Sequence, residues 1–139
     1  MRDTLPRCTI IDTFGSMHDR LKPVPLVFWR SVAGGEPVRE WLNELPREDR
    51  RTVGRDIAKV QFGWPVGLPL CRPLSGGLWE IRSSLPSKRE ARIFFGFHEE
   101  MLVAVHAVIK KSRKAPAVDL ALARQRLKEL QLWQKRTRI

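Results

Sequence analysis

The apolar positions of this chain change period several times, and each change marks an element. Residues 1–22 keep no period long enough for an element, so this stretch is expected to be an appendage, with Met17 a second candidate start. One domain is expected over residues 23–139. Leu26 to Val32 (LVFWRSV) is β-branched and aromatic and predicts a first strand. Ala33 to Glu36 breaks it, and Pro37 suits the first turn of a helix. Val38, Trp41, Leu42 and Leu45 then recur at i, i+3, i+4 and i+7, one face of that helix. Pro46 ends it and opens a second helix, whose stripe is Val53, Ile57, Val60 and Phe62. Gly63 to Gly77 holds three Pro and four Gly and reads as a loop.

Three strands are predicted next, Leu78–Arg82, Ala91–His98 and Met101–Ile109, with Glu99-Glu100 as a tight hairpin between the last two. After the basic run Lys110 to Lys114, Pro116 opens a last helix reaching about Lys135. Leu120, Ala123, Leu127, Leu130 and Trp133 are its inward face. The order β-α-α-β-β-β-α predicts an α+β fold: a small antiparallel sheet with the helices packed on one face.

Alternation sends successive strand side chains to opposite faces, so the two faces of the sheet can be written down. Trp79 and Ile81, Ile93, Phe95 and Phe97, and Val103, Val105, Ala107 and Ile109 form apolar faces. The opposite parity is mixed, and collects Glu80, Arg82, Arg92, His98, His106 and Lys110.

Composition narrows the choice of partner. The chain carries 26 Lys and Arg against 15 Asp and Glu, a formal charge of +11. Such a field attracts polyanions, which favours RNA, DNA or a ribosome. No basic amphipathic helix with an aromatic face stands out, and Met101–Ile109 is far too short to span a bilayer, so a membrane is not expected. Cys8 and Cys71 are far apart and outside any CxxC, and the three His lack ligand spacing. No metal, no cofactor and a cytoplasmic location are therefore expected.

The mixed face suits RNA cleavage that needs no metal. There the ribose 2′-OH attacks the adjacent phosphorus, a base takes its proton, and an acid protonates the leaving 5′-oxygen. Cations must meet the charge that grows on the phosphoryl oxygens, and Arg does so bidentately. On this reading Arg82, Arg92 and Lys110 hold the phosphate, Glu80 is the base and His106 the acid. His106 could instead take the base role, and if His106 is dispensable the acid role falls to Lys110 or His98. Lys111, Arg113 and Lys114 would bind flanking RNA. The same residues also suit a plain cross-strand ion pair, worth ~0–1 kcal/mol if exposed, and a solvated charge run.

Three segments carry a family resemblance: Leu78-Trp79-Glu80-Ile81-Arg82-Ser83-Ser84, Ala91-Arg92-Ile93-Phe94-Phe95, and His106 through Pro116 (HAVIKKSRKAP). In that order they resemble the RelE/ParE toxin superfamily, most closely its phage-derived HigB-like branch. Pro37 to Leu42 and Gln61 to Pro65 fit as well, and the resemblance spans about residues 26–130. It implies a RelE-like fold and the toxin of a type II toxin–antitoxin pair. It also implies an mRNA interferase, a metal-independent endoribonuclease acting on mRNA at the ribosome and silenced by a helix-turn-helix antitoxin. By motif position, Arg82, Arg92 and Lys110 or Lys111 correspond to the residues that bind the scissile phosphate. The chain departs from relatives with a C-terminal active-site Tyr, since it has no Tyr, and it carries Glu80 where some relatives have Lys. The ParE branch implies a different activity, non-enzymatic inhibition of DNA gyrase. A basic RNA-binding accessory protein is the third class.

Overall fold

A computed structural model describes residues 22–110 and 116–137, with side chains as far as Gln131. The order is β1 (Leu26–Phe28), α1 (Pro37–Glu44), α2 (Arg47–Gly63), β2 (Cys71–Pro73), β3 (Leu78–Ser84), β4 (Glu90–His98), β5 (Met101–Ile109) and α3 (Ala117–Thr137). The α+β class stands, with five strands in the order β1-β5-β4-β3-β2.

Several expectations are corrected. The sheet is mixed, because β1 pairs parallel to β5 while the other pairings are antiparallel. Alternation assigns side chains to faces but carries nothing about the direction of a partner strand. β1 is also shorter than the predicted Leu26–Val32: Trp29 N still bonds Ala104 O at 2.9 Å, and then Ser31 and Gly35 close a turn that takes the chain away. The loop predicted over Gly63–Gly77 contains the short edge strand β2, whose Cys71 pairs with Ile81. Pro73 is tolerated there because an edge strand has one row of groups without ladder partners.

The layers differ from expectation as well. α1 and α2 cover one face, where Val38, Val53, Ile57 and Val60 meet Ile81, Ile93, Phe95 and Leu102. α3 covers the opposite face, where Ala123 and Leu127 meet Leu78, Phe94, Val103 and Val105. The helices thus pack on both faces. The apolar members of the mixed face are the cause, since Leu78 and Phe94 can leave water only if something covers them. Ala91 through Gly96 in the central strand are all buried. Gly96 lets α3 approach: a Cβ there would stand 2.5 Å from Leu127 Cδ1.

The faces of β5 switch part-way. Phe94 pairs with His106 but Phe95 with Ala104, so Val105 is an extra residue, a β-bulge. Val103 and Val105 therefore lie under α3 with Val108, while Leu102, Ala104 and Ala107 face α1 and α2. This breaks the single parity read along the strand. Arg126 of α3 donates to the bulge carbonyl of Val105 at 2.8 Å and stacks over Trp29. Burial pushes its pKa down, and Glu129 pulls it partly back.

Phe62, expected on the inward stripe of α2, is instead 57% exposed, because it lies past the last turn that packs on the sheet. In the loop after α2, Trp64 packs edge-on against Trp79 and Phe95, a contact that closes this end of the core. Glu99 and Glu100 form the hairpin tip, both at positive φ, 49° and 66°. Leu120, Ala123, Leu127 and Leu130 point inward on α3, while the side chain of Trp133 lies outside the described residues. So does the appendage, apart from Lys22.

Candidate active site

β3, β4 and β5 carry their even-numbered side chains to the α3 face at the site end of the sheet, the bulge having restored the match for β5. Register then sets the rows. Glu80 lies beside Phe94 and Phe94 beside His106; the next row holds Arg82, Arg92 and Val108; the last holds Ser84 and Glu90. Lys110 joins that last row, its amide donating to Glu90 O at 2.7 Å.

The structure brings Glu80, Arg82, Arg92 and Lys110 into one cluster, and places His106 on the same face. Arg92 Nη1 stands 3.4 Å from Glu80 Oε2, and both side chains are about 97% buried or more, at 3% and 2% exposure. Arg82 and Lys110 keep 30% and 22% exposure. His98 is not part of the cluster, because it pairs with Met101 at the opposite end of β4. Lys111, Arg113 and Lys114 lie outside the described residues.

Two site residues escaped the sequence reading. Glu90 Oε2 is the point on which the cations converge: Arg82 Nε at 3.7 Å, Arg92 Nε at 3.5 Å and Lys110 Nζ at 3.5 Å. Its parity with Arg92 is a signal in the sequence, but the expected strand begins at Ala91 and leaves Glu90 out. Asp119, in the first turn of α3, has its Oδ1 2.7 Å from His106 Nε2. A carboxylate only accepts, so this bond puts the ring hydrogen on Nε2 and leaves Nδ1 with the lone pair in the neutral ring. Nothing in the spacing of these two residues predicted their meeting. The ring of Phe94 stacks on His106 at 6.1 Å and fixes its plane.

An open cleft of about 590 Å³ adjoins the cluster, lined by Arg82, Ser84 and Glu90 of the sheet together with Thr52, Asp56 and Lys59 of α2. Asp56 is engaged there, accepting from Ser83 Oγ at 2.6 Å and pairing with Lys59 at 3.5 Å. Among the described residues, no three His, Cys, Asp or Glu side chains come together so as to hold a metal ion. Among the same residues no helix is long and apolar enough to cross a membrane.

A family profile described as phage derived protein Gp49-like (DUF891) matches residues 40–128, well over half of the chain. The chain belongs to the Gp49-like family. This family sits in the RelE/HigB-type toxin group, so a toxin of a toxin–antitoxin system and an antitoxin partner are what membership implies. The matched stretch of this Gp49-like chain contains every residue of the cluster, together with His106 and Asp119. No curated protein matches the chain.

Proposed function

We propose that this Gp49-like chain is a toxin that cleaves mRNA on the ribosome as a metal-independent endoribonuclease. The observation that carries the reading is the convergence of Arg82, Arg92 and Lys110 on one point of the sheet face. Three cations within reach of a single oxygen suit a phosphoryl group whose charge grows during attack by the 2′-OH.

Exposure divides the acid–base work. Glu80 at 2% exposure is committed to Arg92, which supports a positioning role through that guanidinium rather than proton transfer with a ribose. His106 and Lys110 retain 16% and 22% exposure. His106 takes the 2′-OH proton on Nδ1, and Lys110 gives a proton to the departing 5′-oxygen. The 2′-oxygen–phosphorus bond forms as the phosphorus–5′-oxygen bond breaks, leaving a 2′,3′-cyclic phosphate and a 5′-OH. Lys111, Arg113 and Lys114 follow directly on Lys110 and would hold the RNA beyond the cut.

Inducible expression of the chain, with mapping of transcript 5′ ends and a parallel supercoiling assay, tests this. New 5′ ends in phase with reading frames are expected. Growth arrest with intact transcripts and inhibited gyrase would transfer the protein to the ParE-type activity. Arrest with neither change would leave the basic surface as a plain RNA-binding device.

A further inference from the structure

Glu90 has an odd place in a site meant for anions, because a carboxylate already sits where the phosphate belongs. Its Oε2 is buried, is ringed by three cations, and has no hydrogen-bond partner among the described residues. The cations stand 3.5–3.7 Å away, against about 2.7–2.9 Å for a charge-assisted N–H···O bond. The cage is thus wider than one carboxylate oxygen fills. Arg82, Arg92 and Lys110 oppose Glu80 and Glu90, which leaves the cluster at +1 with Glu90 in place. Without the charge of Glu90 the three cations repel one another, with only the buried Glu80 beside Arg92 to offset them. The Glu90 side chain also lines the open cleft, together with Ser84 and Lys59, so it has somewhere to go.

We propose that Glu90 is a placeholder anion. It holds Arg82, Arg92 and Lys110 around one point until an RNA phosphodiester takes that point, and it thereby sets the affinity of the site for phosphate. The incoming phosphodiester brings several oxygens to a cage that one carboxylate oxygen fills loosely, and the displaced carboxylate swings into the cleft toward Lys59. This rests on the reading of the cluster as a phosphate site, and it adds a residue whose removal strengthens binding.

The test uses the full chain and a fluorescent single-stranded oligoribonucleotide with 2′-O-methyl sugars, which cannot be cleaved, followed by anisotropy at fixed salt with inorganic phosphate as competitor. Glu90→Gln should bind the oligonucleotide about tenfold more tightly, the change that one ordinary coupling energy gives, and inorganic phosphate should compete at a correspondingly lower concentration. Glu48→Gln, an exposed carboxylate on α2, should change affinity far less. Glu90→Asp, which keeps the charge but draws it back, should show a smaller gain and serves as the second variant should Glu90→Gln not fold. Unchanged or weaker binding by the folded variant overturns the proposal, as does an equal gain from Glu48→Gln. Because the assay reads binding alone, a wild-type chain that fails to cut mRNA would refute the nuclease reading without deciding this one.

Discussion

Arg92 and Glu80 lie 3.4 Å apart with almost no solvent, so neither can be changed alone without leaving a buried charge. Arg92→Ala should therefore cost about 3–5 kcal/mol of stability. Arg82→Ala, at a side chain 30% exposed, should stay within about 0.5 kcal/mol of wild type while losing ~10²–10³ in cleavage rate. Thermal melts beside single-turnover assays separate the two; equal destabilisation would mean that Arg82 is structural. Asp49 gives a second prediction. It is buried at the start of α2, where its carboxylate accepts from Ser87 Oγ at 2.7 Å, Ser87 N at 3.2 Å and Arg89 at 3.2 Å. The Ser87 hydroxyl bond is the largest cause of a pKa held below the ordinary 3.8, and it outweighs the opposing effect of burial. A depressed folded pKa gives stability that is complete above 3.8 and is lost as pH falls through the folded value. Asp49→Asn should flatten the fall of unfolding free energy below that pH, and an unchanged acid limb in denaturant titrations would contradict this. At this scale the sequence was legible where parity alone decided, as for Arg82, Arg92 and Lys110. It was not legible for Asp119, whose partner is brought to it by the packing of α3.

At the scale of elements, the contact between β4 and α3 is the one that a single atom controls. Gly96→Ala places a methyl 2.5 Å from Leu127 Cδ1 and 3.1 Å from Cδ2, inside a buried contact. Overpacking of that kind costs typically 1–3 kcal/mol. Leu127→Ala should cost roughly 2–5 kcal/mol by opening a cavity. Because each change relieves the other, the double variant should be more stable than the sum of the singles implies. Strict additivity in a double-mutant cycle would show that Gly96 is not what admits α3. Most elements were readable from apolar period and from proline and glycine punctuation. The bulge at Val105 was not, because one extra residue in a run of Met, Leu, Val and Ala leaves no mark in composition. Nor was α3's side of the sheet, because Leu78, Phe94 and Gly96 share parity with Glu80, Arg82 and Arg92, and those polar neighbours mask a second apolar surface.

For the whole molecule, a formal charge of +11 attracts polyanions, and the proposed RNA substrate would feel that field before it reaches the cluster at one end of the sheet. Binding to single-stranded RNA should weaken steeply with salt, with a log–log slope of about −0.7 for each phosphate neutralised. Replacing Lys110, Lys111, Arg113 and Lys114 together should flatten that slope by up to about 3, since four contacts are removed. An unchanged slope would move the docking surface elsewhere, with the basic side chains of α2 next in line. Charge and fold class were legible in the sequence because both are sums over many residues. The geometry of the candidate site was only half legible, because it depends on which strand ends meet.

The proposed cut is a transfer of the phosphoryl group to the neighbouring 2′-oxygen. The most direct measurement is the chemistry of the ends left on a defined mRNA, programmed into ribosomes and incubated with purified chain in excess chelator. A 2′,3′-cyclic phosphate on one side of the cut and a 5′-OH on the other are expected, formed by wild type and ~10²–10³-fold more slowly by Arg82→Ala. A 5′-phosphate product, loss of cleavage on chelation, or equal cutting by Arg82→Ala would contradict it.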